Sequence, residues 1–285
     1  MNKRKKTASR DIGLEIATIC GKYFLKLEHL HYGYWTDDLE VDIANLHIAQ
    51  KNYTNFLVSH IPDGVKTILD VGCGLGQTAK KLINMGYQVD CVSPSPFLSE
   101  QVRSLLGNKT NIFECRFEQL RGQNRYDMVL FSESFQYIAL QKAMKNTIRF
   151  LNDDGYLLIC DIFKRDVKGD NPLGGGHRLT KFYDLIAHYP FEIVKDVDIT
   201  EQTAPNIDVL DDATKNVAYP VLLSGLRLLE SKHPVASKLL GWKYKKKINK
   251  IYKKYFNGER TGENFKKFKS YRLYLCKKIH VSTNE

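Results

Sequence analysis

The stretch ILDVGCGLGQTAKKLINMGYQVDCVSPSP, residues 68–96, reads as a buried strand, a glycine turn, an amphipathic helix and a second buried strand. Its turn has the spacing G-x-G-x-G, formed by Gly72, Gly74 and Gly76. Such a turn points backbone N–H groups at a ligand and lets the ligand approach where a side chain would block it. The stretch therefore predicts a nucleotide-type cofactor site. However, Ser93 ends the second strand, where such sites normally use an acidic residue to hold a ribose.

Strand and helix patterns alternate from residue 65 onward, which predicts an α/β fold with a doubly wound, mostly parallel seven-stranded sheet. The strands are continuous apolar runs, as expected where helices cover both faces of a sheet. The predicted strands are 65–71, 87–93, 111–117, 125–132, 156–163, 191–199 and 270–279. The predicted helices between them are 75–85, 96–106, 137–151 and 178–188.

Two further segments frame this core. Residues 1–60 are predicted to form an N-terminal tail and helical cover, in which 41–60 is the clearest amphipathic helix. Residues 200–269 separate the last two strands and contain further helical patterns. We expect them to form a helical lid over the carboxyl edge of the sheet, where ligands bind in such folds. The cofactor-binding core is then residues 61–199 and 270–285.

The composition, with 43% hydrophobic and 26% charged residues, is that of an ordinary soluble globular protein. The basic N-terminus is not followed by an apolar stretch, so we expect no secretory signal and a cytoplasmic location. The cysteines form no CxxC pair and no Cys/His cluster with metal-ligand spacing. We therefore expect reduced core thiols and no metal site.

The formal net charge of +11 is concentrated in residues 242–278, which contain fourteen Lys or Arg and two Glu. Within this segment the apolar residues recur at helical spacing, at Ile248, Ile251, Tyr252 and Tyr255. Lysines would cover the opposite face of this helix. A solvated amphipathic helix is one interpretation. The other is an anionic partner: a membrane surface, an acidic or phosphorylated substrate, a carrier protein or nucleic acid. No nucleic-acid-binding motif is recognisable.

The glycine spacing distinguishes between cofactor classes. A dinucleotide fingerprint would need glycine at position 77, where Gln77 stands. The turn after Asp70, with YDMVLFSES and FLNDDGYLLICDIF downstream, resembles the class I S-adenosylmethionine-dependent methyltransferases. By this resemblance the cofactor is S-adenosyl-L-methionine, and the glycines form the floor of its site. Asp70 would face the amino end of its methionine moiety, and the strand ending at Ser132 would emerge beside that moiety.

The segment LHYGYW, residues 30–35, resembles the stretch that folds over the cofactor in small-molecule methyltransferases of the tocopherol, sterol and sarcosine type. By this resemblance Tyr32, Tyr34 and Trp35 would line the cover, and His31 would reach the reaction centre. The alternative is an aromatic cluster that joins an N-terminal helix to the core.

The sequence departs from the family pattern at the adenosine contacts. Ser93 can form one neutral hydrogen bond to the ribose but no charge-assisted pair, so some affinity should be lost. An acidic residue often meets the adenine amino group near positions 115–118, but Cys115 and Arg116 stand there. Phe117 would stack on the ring instead, and Glu118 is a weaker candidate for the amine.

Methyl transfer requires alignment of the nucleophile and, where needed, removal of a proton. The candidate bases near the expected cleft are His31, Glu133, Tyr137, Asp161 and His177. The family's "ESxxH" stretch corresponds to SESFQYI, in which Tyr137 stands at the His end. The loop NPLGGGHRL, 171–179, suggests a mobile loop or a close ligand approach, with His177 and Arg178 opening the next helix.

These features predict a methyltransferase that acts on an O, N or C nucleophile of a small molecule. An RNA or protein methyltransferase that docks through the basic C-terminal helix is the rival enzyme class. A non-catalytic scaffold that kept the fold is the third hypothesis.

Overall fold

The computed structural model describes residues 9–235, 237, 239, 242–246, 249, 256 and 258–279. The predicted N-terminal tail, residues 1–8, lies outside the described residues. So do the apolar positions of the predicted basic helix, which are Ile248, Ile251, Tyr252 and Tyr255.

One twisted sheet organises the chain. Its strands are β1 Thr67–Val71, β2 Gln88–Val92, β3 Ile112–Phe113, β4 Tyr126–Ser132, β5 Leu151–Lys164, β6 His177–Arg178, β7 Phe191–Asp198 and β8 Lys269–Lys278. The strand order is β3-β2-β1-β4-β5-β8-β7, and β6 pairs with β5 beside this path. Pairing is parallel from β3 to β5, while β8 runs antiparallel to β5 and β7. The predicted doubly wound, mostly parallel sheet is confirmed, with β6 as an additional short strand.

Helices cover both faces of the sheet. They are α1 Ser9–Leu25, α2 Leu46–Val58, α3 Gln77–Asn84, α4 Pro96–Leu106, α5 Leu140–Phe150, α6 Leu179–Ile186, α7 Thr200–Thr203, α8 Pro205–Ala213, α9 Tyr219–Lys232 and α10 Gly262–Phe268. One face packs Tyr53 and Leu57 of α2 and Leu82 of α3 against the sheet. The other face packs Phe150 of α5 and Phe182 of α6. The two apolar layers explain why the strands read as continuous hydrophobic runs.

Three boundaries differ from the sequence prediction. The third strand is Ile112–Phe113 rather than 111–117, because it lies at the sheet edge and its neighbour β2 already ends at Val92. The fifth strand begins at Leu151 rather than 156, because Leu151 pairs with Tyr126. A register shift between Tyr126 and Met128 accommodates residues 152–155 before Tyr156 pairs with Met128. His177 and Arg178 do not open a helix but form β6, paired to the end of β5.

The insertion between β7 and β8 has two parts with different surroundings. Ala204, Ile207 and Phe265 are buried in the core cluster on the α2 face of the sheet. By contrast, none of the residues of α9 is buried. In the described part of the chain no helix is long and apolar enough to cross a membrane. The division into cover, core and lid remains a prediction.

Candidate functional site

The glycine turn connects β1 to α3 at the carboxyl edge of the sheet. Gly72 has φ +81°, and a Cβ at this position would clash with the side chain of Ser134, whose hydroxyl donates to the carbonyl of Val71. No atom of the described residues lies within 4 Å of the place where a Cβ of Gly74 would stand. The turn is therefore held tightly on its β4 side and is open at Gly74, which suits close approach of a ligand to the backbone.

Asp70 lies at the end of β1 directly before this turn. It is buried, and its Oδ2 has no hydrogen-bond partner among the described residues. Burial raises the pKa of this carboxyl to about 7. An unpaired buried carboxylate is costly, so this position favours a cationic or hydrogen-bond-donating ligand group.

Glu133 follows β4 and occupies the neighbouring position at the same edge. Its φ of +53° is uncommon for a residue other than glycine. Its partly buried Oε1 accepts hydrogen bonds of 2.6 Å from the Tyr32 N–H and of 2.6 Å from the Tyr271 hydroxyl. Burial raises the pKa of this carboxyl to about 8. A carboxyl poised near neutral pH is suited to general acid–base work.

Two further hydroxyls extend this cluster. The Tyr271 hydroxyl lies 3.1 Å from the Tyr53 hydroxyl, which in turn lies 3.1 Å from Oγ of Ser132. The cluster therefore joins the end of β4 to α2 and β8. The sequence indicated Ser132 as a site residue, whereas Tyr53 lies in the predicted amphipathic helix 41–60 and was given no role in the site. Nothing in the strand pattern around residue 271 indicated that a tyrosine hydroxyl would reach Glu133.

The LHYGYW segment crosses the site between α2 and α8. Gly33 and Asn206 exchange two hydrogen bonds, each of 2.7 Å. A Cβ at Gly33 would clash with Ala49 of α2, so the segment lies directly against that helix. Trp35 is buried, and its backbone N–H donates to the carbonyl of Gln202. The insertion thus holds the N-terminal cover in place through Asn206, which sequence reasoning missed.

His31 is enclosed within the cover. Its Nδ1–H donates to the Tyr32 carbonyl at 2.8 Å, which leaves Nε2 as an acceptor 3.2 Å from the Thr54 hydroxyl. Its ring packs in tilted contacts against those of His29 and Tyr53, with centroids 4.5 and 4.3 Å away. Burial lowers the pKa of His31 to about 3. Because both ring nitrogens are engaged and the pKa is low, His31 is a weak base compared with Glu133.

Three predicted cofactor contacts lie in packed surroundings. The ring of Tyr34 stacks on Phe56 with centroids 5.1 Å apart. Phe117 is buried, with its ring 5.4 Å from that of Phe131, so its faces are occupied by the core. Ser93 is also buried, and its Oγ accepts from the Ser95 N–H at 3.3 Å. The structure does not bring Tyr34 and Phe117 together with Asp70 and Glu133 in one contact network.

The loop before α6 is held against β4 and β5. His177 Nε2 lies 3.1 Å from the Phe135 carbonyl, and burial lowers the pKa of this histidine. The Gly176 N–H donates to Oε1 of Gln136 at 3.1 Å. Tyr137 is largely exposed, in the short turn that ends the β4 loop. The catalytic roles of Tyr137 and His177 remain predictions.

Asp161 lies on β5 beside this loop. It is fully buried, and its carboxylate accepts from the N–H and the side-chain amide of Gln136 at 3.0 and 2.9 Å. Burial raises the pKa of Asp161 to about 7. Because Gln136 and the Ile162 N–H occupy its oxygens, Asp161 orients the β4 loop.

An open glycine turn above a buried carboxylate, at the carboxyl edge of a doubly wound sheet, defines a Rossmann-like cofactor-binding domain. Residues 69–159 match the family model described as "Methyltransferase domain". This segment is a methyltransferase domain, and the match supports the class I S-adenosylmethionine-dependent methyltransferase family that the sequence resembles, with S-adenosylmethionine as its cofactor. The resemblance seen in the sequence is thereby confirmed.

Curated relatives match the same core. The chain is 26% identical over 156 residues to a ubiquinone biosynthesis O-methyltransferase of Rickettsia canadensis, covering 52% of the chain and 65% of the relative. It is 26% identical over 125 residues to malonyl-[acyl-carrier protein] O-methyltransferase 2 of Ilyobacter polytropus, covering 42% and 48%. The match thus spans less than two thirds of these relatives.

Solved structures share the fold over nearly the whole chain. Geranyl diphosphate C-methyltransferase from Streptomyces coelicolor superposes with a TM-score of 0.63 at 15% identity, covering 93% of this chain and 92% of that one. The [4+2]-cyclase SpnF superposes with a TM-score of 0.65 at 16% identity, covering 97% and 98%. At these identities the likeness concerns the fold.

The residues at the turn fit the cofactor's methionine end. The unpartnered Oδ2 of buried Asp70 is complementary to its α-ammonium group, and the space at Gly74 permits approach to the backbone. The adenosine end is less well provided for, because Ser93 offers a neutral hydroxyl where a carboxylate would accept both ribose hydroxyls.

Proposed function

We propose that this protein transfers a methyl group from S-adenosylmethionine to a nucleophilic O, N or C atom of a small molecule. The observation that carries the proposal is the buried Asp70 beneath the open glycine turn, whose Oδ2 has no hydrogen-bond partner among the described residues. The proposal is supported by the methyltransferase-domain match over residues 69–159. The rival hypotheses, a macromolecular methyltransferase and a non-catalytic scaffold, have no comparable support.

The roles of the site residues follow from their positions. Asp70 binds the cofactor's α-ammonium group, and Gly72, Gly74 and Gly76 form the floor on which the cofactor lies. Tyr32 and Ser132 belong to the hydrogen-bonded cluster around Glu133. This cluster borders the methionine end of the cofactor. When bound, S-adenosylmethionine supplies an activated methyl group on a sulfonium.

Glu133 is the base in this proposal. Its Oε1 is held by Tyr32 and Tyr271, so the carboxylate is fixed in orientation and Oε2 is available to the acceptor. A hydroxyl acceptor loses a proton as it is methylated, and a carboxylate with a raised pKa can take that proton. Tyr53 and Tyr271 act as positioning residues.

The substrate class is supported by the names of the relatives. Of the proteins named above, the three methyltransferases are named for ubiquinone biosynthesis, malonyl-[acyl-carrier protein] and geranyl diphosphate, whereas SpnF is named as a cyclase. Apart from the carrier protein, these acceptors are small organic molecules. We therefore favour a small-molecule acceptor over RNA or protein.

A methyl-labelling experiment tests the proposal and its rivals together. Purified protein is incubated with methyl-labelled S-adenosylmethionine and a cell extract separated into small-molecule, RNA and protein fractions. Label is expected in the small-molecule fraction. Asp70→Asn should abolish it, whereas Asp63→Asn, which removes the same charge at an exposed position, should not. Label confined to RNA or protein, or no label with any fraction, would contradict the proposal.

The basic segment 242–278 is proposed to bring the enzyme to an anionic surface. Apolar side chains on α9, including Leu222 and Leu226, are exposed, and Trp242 is 82% exposed. Exposed leucines and a tryptophan beside a lysine-rich segment are typical of an interfacial element. Cosedimentation with phosphatidylglycerol vesicles, but not phosphatidylcholine vesicles, is expected, and Trp242→Ala should weaken it. Equal binding to both vesicle types, or none, would contradict this role.

A cytoplasmic location is part of the same proposal. Cys73, Cys91, Cys160 and Cys276 are buried free thiols, which is typical of proteins from a reducing compartment. Cell fractionation with an antibody against the chain tests it.

A further inference from the structure

Three adjacent strands place a basic residue at the same level at the end of β5. Lys164 is the register partner of Lys269 on β8 and of Arg178 on β6. Directly paired residues share a face of the sheet, with Cβ atoms roughly 5 Å apart. Like charges in this arrangement repel one another and destabilise the pairing. The row therefore favours a bound anion that would offset the repulsion.

Lys269 is the buried member of the row. Its ammonium donates to the carbonyls of Gly174 and Gly175 at 3.0 and 2.7 Å, and no carboxylate partner is recorded for it in the described part of the chain. Burial, and then the charge of Lys164, lower the pKa of Lys269 to about 8. A buried lysine without a counter-charge is uncommon, and a nearby anion would stabilise its charged form.

A cavity of about 480 Å³ opens beside this row. Its charged lining consists of Lys164, Arg165, Lys168 and Arg178 with one carboxylate, Asp166, and its floor includes Gly174 and Phe268. Its size is that of a small-molecule site.

The cations of the cavity are only partly neutralised. Arg178 lies 3.4 Å from Asp166, and Arg165 lies 3.5 Å from Asp198. Among the residues that the structure describes, no ion pair involves Lys164 or Lys168. The cavity therefore has an excess of positive charge that a multiply charged anion would balance and a single carboxylate would not.

We propose that this cavity binds a phosphate or diphosphate group carried by the methyl acceptor. The arginine guanidinium can hold two phosphate oxygens at once, and the lysines supply additional charge. This inference rests on the proposed methyl transfer and specifies its substrate class.

The cavity lies on the same sheet edge as the cofactor turn. Because β5 is separated from β1 by β4 alone, the two sites are about 10 Å apart across the sheet at a strand spacing of about 4.8 Å. Lys164 lies four residues beyond Cys160, which is level with Ser132 and hence with the glycine turn, so the full separation is roughly 16 Å. Gly174 lines the cavity, and Gly176 of the same loop donates its N–H to Gln136, three residues after Glu133. One small molecule can therefore place its anionic group in the cavity and its nucleophile near Glu133.

Isothermal titration of the full chain with pyrophosphate, at constant ionic strength, tests the site without an identified acceptor. The double variant Lys164→Gln/Arg178→Gln is expected to bind pyrophosphate at least tenfold more weakly than the unaltered protein. Lys142→Gln/Lys145→Gln, which removes the same charge from exposed positions on α5, should bind it as the unaltered protein does. Acetate should bind at least tenfold more weakly than pyrophosphate.

Absence of pyrophosphate binding, or equal weakening in both double variants, would overturn the site. If Lys164→Gln/Arg178→Gln does not fold, the exposed single variant Lys168→Gln replaces it, with a smaller loss expected. Titration with S-adenosylmethionine in parallel separates the two proposals. Pyrophosphate binding without cofactor binding would contradict the proposed methyl transfer. Cofactor binding without pyrophosphate binding would contradict only the proposed anion site.

Discussion

The hydroxyl of Tyr271 lies 2.6 Å from Oε1 of Glu133, although 138 residues separate them in the chain. Tyr271 comes from the last strand of the sheet and Glu133 from the loop after β4. The same oxygen accepts from the N–H of Tyr32 in the N-terminal cover. The cover, the core and the closing strand thus meet at one partly buried carboxyl, which is why we assign the proton transfer to it.

Glu133→Gln should separate catalysis from stability. Glutamine keeps the acceptor oxygen for Tyr32 and Tyr271 but cannot take a proton, so kcat should fall about 100-fold or more. In the unaltered protein kcat/KM should rise with pH up to about 8, since the carboxylate is the active form and burial raises the pKa of Glu133 to about 8. A pH–rate profile measured with an acceptor found by methyl labelling checks both expectations.

The same variant should change the pH dependence of folding. The pKa of Glu133 is raised in the folded state from its ordinary 4.5. Its stabilising contribution is therefore complete below pH 4.5 and is lost as the pH rises to about 8. Relative to the unaltered protein, Glu133→Gln should gain about 2 to 4 kcal/mol in unfolding free energy between pH 5 and pH 8. The unfolding free energies of the two proteins are measured by urea unfolding across this pH range. If both change with pH by the same amount, Glu133 is not protonated in the folded protein.

Gly176 and Gly174 provide a matched pair for the loop before α6. Gly176 has φ +80°, and a Cβ there would lie 2.8 Å from the carbonyl oxygen of Ile162. The new Cβ of Gly174→Ala has no atom within 4 Å in the part of the chain that the structure describes. We expect Gly176→Ala to lower the free energy of unfolding by about 2 kcal/mol or more and Gly174→Ala to change it by less than about 0.5 kcal/mol. Similar urea midpoints for both variants would show that the loop is not held against β5.

Much of the fold could be predicted because periodicity and turn chemistry are local. The helix predicted at 96–106 coincides with α4, which begins at Pro96 after Ser95, whose hydroxyl accepts from the Leu98 N–H. The parallel strands were found because both faces are covered and each strand is continuously apolar. The strand at 111–117 was predicted too long because apolarity does not reveal that β3 has a neighbour on one side only.

The candidate site was predictable only where a motif is local in sequence. The glycine turn and Asp70 form one such motif, and the structure places them together. Asn206 and Tyr271 could not be found in this way. Asn206 meets Gly33 across 173 residues, and which side chains of an insertion face the core depends on how it docks. His177 was assigned to a helix because β6 is two residues long and exists only through pairing with β5.

Ser93→Asp tests whether the ribose lies where the family places it. The new carboxylate would accept from both ribose hydroxyls, and the nearby N-terminus of α4 and the Ser95 N–H would help to stabilise its charge. We expect cofactor binding to become about tenfold tighter by isothermal titration, as for one added charge-assisted hydrogen bond. Unchanged or weaker binding would indicate that another group holds the adenosine.

The most direct test of the account is the affinity for S-adenosylmethionine of the unaltered protein and of Asp70→Asn at pH 6 and pH 8. Burial raises the pKa of Asp70 to about 7, so the carboxylate that binds the α-ammonium group is mostly neutral at pH 6 and mostly charged at pH 8. The affinity advantage of the unaltered protein over the variant should therefore be about tenfold larger at pH 8 than at pH 6. Equal affinities for the two proteins at both pH values, or no binding by the unaltered protein at millimolar cofactor, would contradict the cofactor site.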